Sequence, residues 1–342
     1  MSKGLTNLGN TCYMNSALQC LIHLPYLFPD NKNFITDCKR RFEENDFSLM
    51  REWFKLQKNM WIDKDKDKDK DKDKDKKVIN TSSFIKTFIN QCRKKDIYFE
   101  SFEQNDAQEF ITILIDLFHE SIKRKVRINI SGTPLTNYDL MKIKSIESWK
   151  KFFEDNYSYI IKHFYSKLYS KISCPNCKYH TNNYEPISTI TLSLNTGYDS
   201  IYNCLDEFIR KETLDTDNSW KCDKCHVKVC PFKEMKFFEL SSILIFSIKQ
   251  FRRGLKINQH INFPEYLDMR EYSIGIQNNG YKYRLYGICV HQGGLNGGHY
   301  YAMCYNSKTD QWLKCNDTHV EGTTINNVLK ETPYCFFYVR EN

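Results

Sequence analysis

The chain has 342 residues, enough to bury a sizeable core, and its length suggests two or three structural units. A hydrophobic share of 41% and an aromatic share of 15% exclude a largely disordered chain. The formal charge of +8 is too modest and too dispersed to imply a nucleic-acid partner.

The start, Met1-Ser2-Lys3-Gly4, lacks an apolar stretch behind a basic region, so no secretory signal is expected, and Ser2 in place of glycine removes a myristoylation signal. The most apolar window, residues 243–246, sits in a run far shorter than a bilayer-spanning helix. The expectation is a soluble intracellular monomer, cytoplasmic or nuclear, with no membrane partner. In that compartment the fourteen cysteines point to thiols, metal ligands and a nucleophile rather than to a disulfide framework.

In chain order, a Gly/Asn-rich loop over residues 4–11 leads into a short helix over 12–22, with Tyr13, Ala17, Leu18, Leu21 and Ile22 at helical spacing. Residues 63–76 alternate strictly between Asp and Lys. Neither a helix nor a strand of that pattern offers apolar area to offset ordering entropy, so a flexible insertion over 63–77 is expected. A stronger helix is predicted over 106–125, with the stripe Ala107, Phe110, Ile111, Leu114, Leu117, Phe118 and Ile122, a capping box of Asp106 and Glu109, and basic residues Lys123, Arg124 and Lys125 at its end. Residues 146–165 are expected to be helical in part. After about residue 185 come short runs rich in aromatic and β-branched residues, over 186–194, 236–251, 283–291, 299–305 and 335–340, separated by Gly, Asn and Pro. Helices first and antiparallel strands afterwards make an α+β fold.

Cys12 stands where the Gly/Asn-rich loop meets the helix. Free N–H groups and partial positive charge at a helix start favour thiolate over thiol, and Asn7 can add a side-chain N–H beside a developing oxyanion. Among nine histidines, His299 follows Gly297-Gly298, where the absence of side chains lets a substrate backbone approach; His291 is the local rival. Cys174-Pro175-Asn176-Cys177 and Cys222-Asp223-Lys224-Cys225 are two Cys-x2-Cys knuckles, the pattern of a closed structural zinc site. With no open ligand position, zinc catalysis is not expected. Cys204 and Cys230 are spare.

Four stretches carry a resemblance. Residues 4–21 resemble the cysteine box of the ubiquitin-specific protease family, a branch of the papain-like cysteine peptidases. Gln104-Asn105-Asp106-Ala107-Gln108-Glu109-Phe110 resembles its Gln-rich box. Gln250-Phe251 with Phe263-Pro264 is similar to its palm-strand motif, which more often has Arg at the first position. Residues 283–317, with His291, Gly297-Gly298-His299-Tyr300-Tyr301-Ala302 and Asn316-Asp317, resemble its histidine box, although Cys315 stands where an aromatic residue is usual.

The resemblance covers the chain from residue 4 to 338. It implies a single catalytic domain of thumb (about 1–165), zinc-knuckle fingers (166–238) and palm (239–342), with the knuckle pairs folded together. It also implies a deubiquitinating thiol protease acting on ubiquitin and ubiquitinated proteins. His299 is then the base and Asn316 its orienter. Asp317 is an assistant in the oxyanion site or a substitute orienter, and the Asn-Asp pair also fits a plain Asx turn. Gln104 and Asp106 are implied to hold the extended ubiquitin tail, opposite Gly298 and Tyr300, while Asp106 also suits a cap. The competing readings are an inactive ubiquitin-binding protein of this fold, a zinc-knuckle nucleic-acid binder, and a papain-like peptidase without ubiquitin specificity. The complete set Cys12, His299, Asn316 and Asn7 counts against the first. Mixed charges near the knuckles count against the second, and the Gln-rich box and fingers against the third.

Overall fold

The computed structural model describes residues 2–25, 27, 47–61, 78–99, 103, 105–252, 255–276, 280–294 and 297–341. The Asp-Lys alternation and Gln104 lie outside the described residues.

A short strand β1 (Gly4–Leu5) precedes α1 (Cys12–His23). α2 (Ser48–Trp61), β2 (Val78–Ile79), α3 (Ser82–Lys94), α4 (Ala107–Ile122), α5 (Asn137–Phe153) and α6 (Tyr159–Phe164) complete the helical half. The predicted helix over 106–125 is α4, and it ends at Ile122, before the basic residues. Its cap differs from expectation: Asp106 accepts the N–H of Gln108 rather than forming the reciprocal box with Glu109. The helical content expected over 146–165 falls in two pieces, α5 and α6.

The second half holds β3 (Ser166–Ser173), β4 (His180–Ile187), β5 (Thr189–Ser193), α7 (Ile201–Ile209), β6 (Glu212–Thr213), β7 (Trp220–Lys221), β8 (Lys228–Val229) and β9 (Phe232–Glu239). Then follow β10 (Ile243–Lys249), β11 (Phe251–Arg252), β12 (Leu255–Lys256), β13 (Tyr266–Asp268), β14 (Lys282–Gly294), β15 (Gly297–Asn306), β16 (Gln311–Asn316), β17 (His319–Thr323), α8 (Ile325–Val328) and β18 (Pro333–Arg340).

The palm is an eight-stranded sheet in the order β17-β16-β15-β14-β18-β10-β5, with β13 added on β14. β10, β15 and β18 read as apolar runs because both faces are covered there. Along β18, Tyr334, Phe337 and Val339 join the core under the thumb helices, while Phe336 and Tyr338 join a second core on the opposite face. α1 lies between the sheet and the other thumb helices, and all of its residues are buried. Its polar side chains are accordingly bonded: Gln19 donates to the carbonyl of Lys3, and Ser16 to that of Tyr13.

The fingers are a separate four-stranded sheet, β4-β3-β9-β6, with the β7-β8 hairpin beyond it. Within the segment expected to form fingers, β5 instead pairs parallel with β10, and α7 packs on the second palm core.

Candidate active site and metal centre

Cys12 is the first residue of α1, and the helix start is left open by its own cap residue. The hydroxyl of Thr11 accepts from the N–H of Leu8 and donates to Asn7 Oδ1, and makes no cap bond to the helix. The backbone amides of Tyr300, Tyr13 and Cys12 favour the thiolate form of Cys12, and Tyr300 lines the same cleft. Tyr300 follows His299 on β15, so the sulfur sits where α1 meets the strand carrying the histidine, although the two lie almost three hundred positions apart in sequence.

The thiol itself departs from expectation. Burial raises its pKa above the ordinary thiol value, and the Asp317 carboxylate adds to the rise, outweighing the three amides. The side chain is only 7% exposed, so lost hydration exceeds the field of the helix end.

His299 Nε2 lies 2.6 Å from Asn316 Oδ1. An amide oxygen only accepts, so the ring donates through Nε2–H and its Nδ1 is left as the basic nitrogen. Asn316 ends β16, opposite His319 of β17, which places it at a tight turn. Asp317 occupies the left-handed region there, with φ of 48°. Its carboxylate turns away from the histidine, accepting from Asn7 Nδ2 at 2.9 Å and from Asn15 Nδ2 at 2.7 Å. Its carbonyl accepts the N–H of Leu5. Asp317 thus ties Asn7 and Asn15 together at this turn. Asn7 Oδ1 is held in turn by the N–H groups of Gly9 and Thr11, which fixes the carboxamide's orientation.

Beside Cys12 runs a cleft of about 150 Å³, with Asp106, Gly298, Tyr300, Phe251 and His291 among its lining residues. The Asp106 carboxylate accepts from Gln108 N–H on one oxygen and from the Tyr334 hydroxyl on the other. Gly298 is obligatory: a Cβ there would lie 2.1 Å from His291 Nε2. The His291 ring is wedged between Phe251 and Tyr300, and burial drops its pKa to about 4. Tyr334, His291 as a wedge, and the tie from Asp317 to Asn15 were not read from sequence, because each depends on contacts between distant strands.

In the fingers, Cys174, Cys177, Cys222 and Cys225 place their sulfur atoms within 4.8 Å of one another. The knuckles are built alike. Lys178 and His226, each following a second cysteine, have φ of 62° and 58° and return their N–H groups to the carbonyls of Cys174 and Cys222. The Cys174–Cys225 and Cys177–Cys222 pairs stand at 3.8 and 3.5 Å. A tetrahedron with Zn–S bonds of about 2.3 Å has edges of roughly 3.8 Å, so the four residues fit a metal of that size. Backbone N–H groups, first that of Cys177, lower the Cys174 thiol to about 7. At Cys225 the N–H of Val227 also pulls down, but burial and the neighbouring sulfurs outweigh it and hold the thiol at about 11. Once deprotonated, the four sulfurs form a set able to hold one metal cation. Cys230 stays outside this cluster, and Cys204 is buried in α7.

An α+β domain with a thiol at a buried helix start, packed against the strand that carries a histidine bonded to an amide, is the architecture of a papain-like cysteine hydrolase. The family model described as ubiquitin carboxyl-terminal hydrolase matches residues 3–338, and the chain belongs to that family. A protein of Acanthamoeba polyphaga mimivirus, described as a probable ubiquitin carboxyl-terminal hydrolase, is 28% identical over 424 residues, covering 99% of this chain and 90% of that one. Ubiquitin carboxyl-terminal hydrolase 2 of Bos taurus is 30% identical over 352 residues, covering 98% of this chain; the chain spans 54% of the bovine protein. Among solved structures, Ubp8 in the SAGA DUB module bound to monoubiquitin is similar over 100% of this chain and 69% of its own, with a TM-score of 0.74 and 25% identity. The corresponding module bound to ubiquitin aldehyde gives a TM-score of 0.72 and 26% identity, covering 100% of this chain and 70% of that one. Among the described residues no helix is long and apolar enough to cross a membrane.

Proposed function

We propose that this chain is a thiol protease that hydrolyses the peptide or isopeptide bond after the C-terminal glycine of ubiquitin. The observation that carries the reading is the bond from His299 to Asn316 on the strand whose next residue, Tyr300, lines the same cleft as Cys12. His299 Nδ1 takes the thiol proton, which the raised Cys12 pKa makes necessary. The thiolate attacks the glycine carbonyl carbon, forming the C–S bond. The oxyanion is held by amides at the open start of α1 and by the second N–H of Asn7, whose first is bound to Asp317. His299 returns the proton to the departing lysine amine as the C–N bond breaks. Water, deprotonated by the same ring, then cleaves the thioester.

Asp106, fixed by Tyr334, keeps lone pairs for the N–H groups or basic side chains of an extended ubiquitin tail, with Gly298 and Tyr300 across the cleft. Cys174, Cys177, Cys222 and Cys225 would hold zinc, which supplies a cross-link for the fingers and no chemistry at Cys12. Ubiquitin bearing a C-terminal electrophile is expected to label the wild-type protein and not Cys12→Ser. Labelling that persists in the variant rejects the nucleophile assignment, and a wild type that is never labelled rejects the ubiquitin reading.

A further inference from the structure

Two hairpins stand at one side of the cleft. β11 and β12 form the first, with Phe251 opposite Lys256. β14 and β15 form the second, with Gly294 opposite Gly297. Phe251 of the first hairpin and His291, Gly294 and Gly298 of the second all line the cleft. The two hairpins belong to different sheets, so no strand ladder joins them.

Lys256 makes the joint between them. Its Nζ donates to the carbonyl oxygen of His291 at 2.7 Å and to that of Gly293 at 3.1 Å. Both acceptors are backbone carbonyls, and among the described residues Lys256 pairs with no carboxylate, so the contact fixes geometry rather than balancing charge. The two carbonyls lie two residues apart on the stretch of β14 where Gly293 takes a φ of 107°. The ring of Phe251 packs edge-on against His291, with centroids 5.6 Å apart, so the hairpins also touch through apolar surface. The His291 ring occupies the space that a side chain at position 298 would need. Displacing this hairpin therefore displaces Gly298 and the strand that carries His299. Partial withdrawal from water lowers the Lys256 pKa, as expected of an ammonium held on carbonyls instead of hydrated.

We propose that Lys256 is a positioning residue whose ammonium clasps the β11-β12 hairpin to the β14-β15 hairpin and so sets the width of the cleft that receives the substrate's C-terminal tail. The inference rests on the reading of that cleft as the ubiquitin-tail channel. An exposed lysine without this role would be replaceable at little consequence. Lys256→Met keeps an aliphatic stem and removes the donors, while Lys256→Arg restores donors of similar reach.

The test compares wild type, Lys256→Met and Lys256→Arg in two assays. One is steady-state hydrolysis of ubiquitin carrying a C-terminal aminocoumarin; the other is amide hydrogen exchange over residues 288–302. Lys256→Met is expected to raise KM about tenfold with kcat changed less than about threefold, since a loosened channel weakens tail binding more than the chemical step. Exchange around Gly293 and Gly298 should accelerate in the same variant, and Lys256→Arg should recover most of both effects. Unchanged KM and exchange in Lys256→Met overturns the proposal. So does a loss confined to kcat, or an Arg variant no better than the Met variant. A wild type inactive on the ubiquitin substrate rejects the ubiquitin reading instead, and the exchange arm then decides on the clasp by itself.

Discussion

The joint between α1 and the palm sheet and the knuckle pair in the fingers are both built from cysteines, yet different forces hold them. At the joint, the loop before Cys12, the strand carrying His299 and the turn carrying Asn316 rest on the large core shared by α1, α4 and β15, which includes Met14, Leu18, Phe110 and Ala302. At the knuckles, the buried core is Cys174, Cys222 and Val229, with Tyr179 and Trp220 packed beside it. The first site is fixed by packing that exists whether or not Cys12 reacts. The second has too little apolar area to hold itself. Chemistry and folding should therefore separate at the joint and be inseparable at the knuckles.

The sharpest test of that contrast is Cys12→Ser. Losing the nucleophile of a unit that acts together should lower kcat/KM roughly 10⁴- to 10⁶-fold, while the melting temperature stays close to that of wild type by calorimetry. A large stability loss would break the separation. Cys174→Ser, or chelation of the metal, should do the reverse. Structural zinc contributes an apparent binding energy of roughly 10–16 kcal/mol, so amide exchange over residues 172–232 should rise towards unprotected rates, while a small alkylating reagent still modifies Cys12. Protected knuckles in metal-free protein would erase the difference between the two regions.

A smaller effect is expected at the orienter. Asn316→Ala leaves the imidazole without its acceptor, and kcat should fall about 100-fold, with KM little changed. Tyr334→Phe should do less, raising KM about tenfold because Asp106 loses one charge-assisted hydrogen bond of roughly 1.5–3 kcal/mol. The mildest readout is pH. With burial and Asp317 raising the Cys12 thiol, alkylation in His299→Ala should climb as pH rises and show its midpoint above the ordinary thiol range. A midpoint near neutrality would mean that the helix end, and not burial, dominates the nucleophile.

The comparison also accounts for what could be read ahead of the fold. Each knuckle is a local device of Cys-x2-Cys followed by one residue with positive φ, and spacing alone reveals it. α4 was equally plain, because its stripe repeats at helical period along one segment. β3 and β4 were missed. Their residues, such as Ser166, Lys167, Asn182 and Asn183, carry little apolar signal, although Ser166, Lys167 and Tyr184 are buried once the ladder and α5 are in place.

The residue types of the site were determined by sequence: a cysteine at a loop-to-helix junction, a histidine after two glycines, an Asn-Asp pair and two cysteine knuckles. Which atoms meet was decided only by tertiary structure. The long-range ladders of β14, β15 and β16 bring Asn316 to His299, turn Asp317 towards Asn7 and Asn15, seat His291 beneath Gly298 and bury Cys12 deeply enough to reverse the expected effect of its helix. Burial and register are properties of strands paired across hundreds of residues, and no local pattern encodes them.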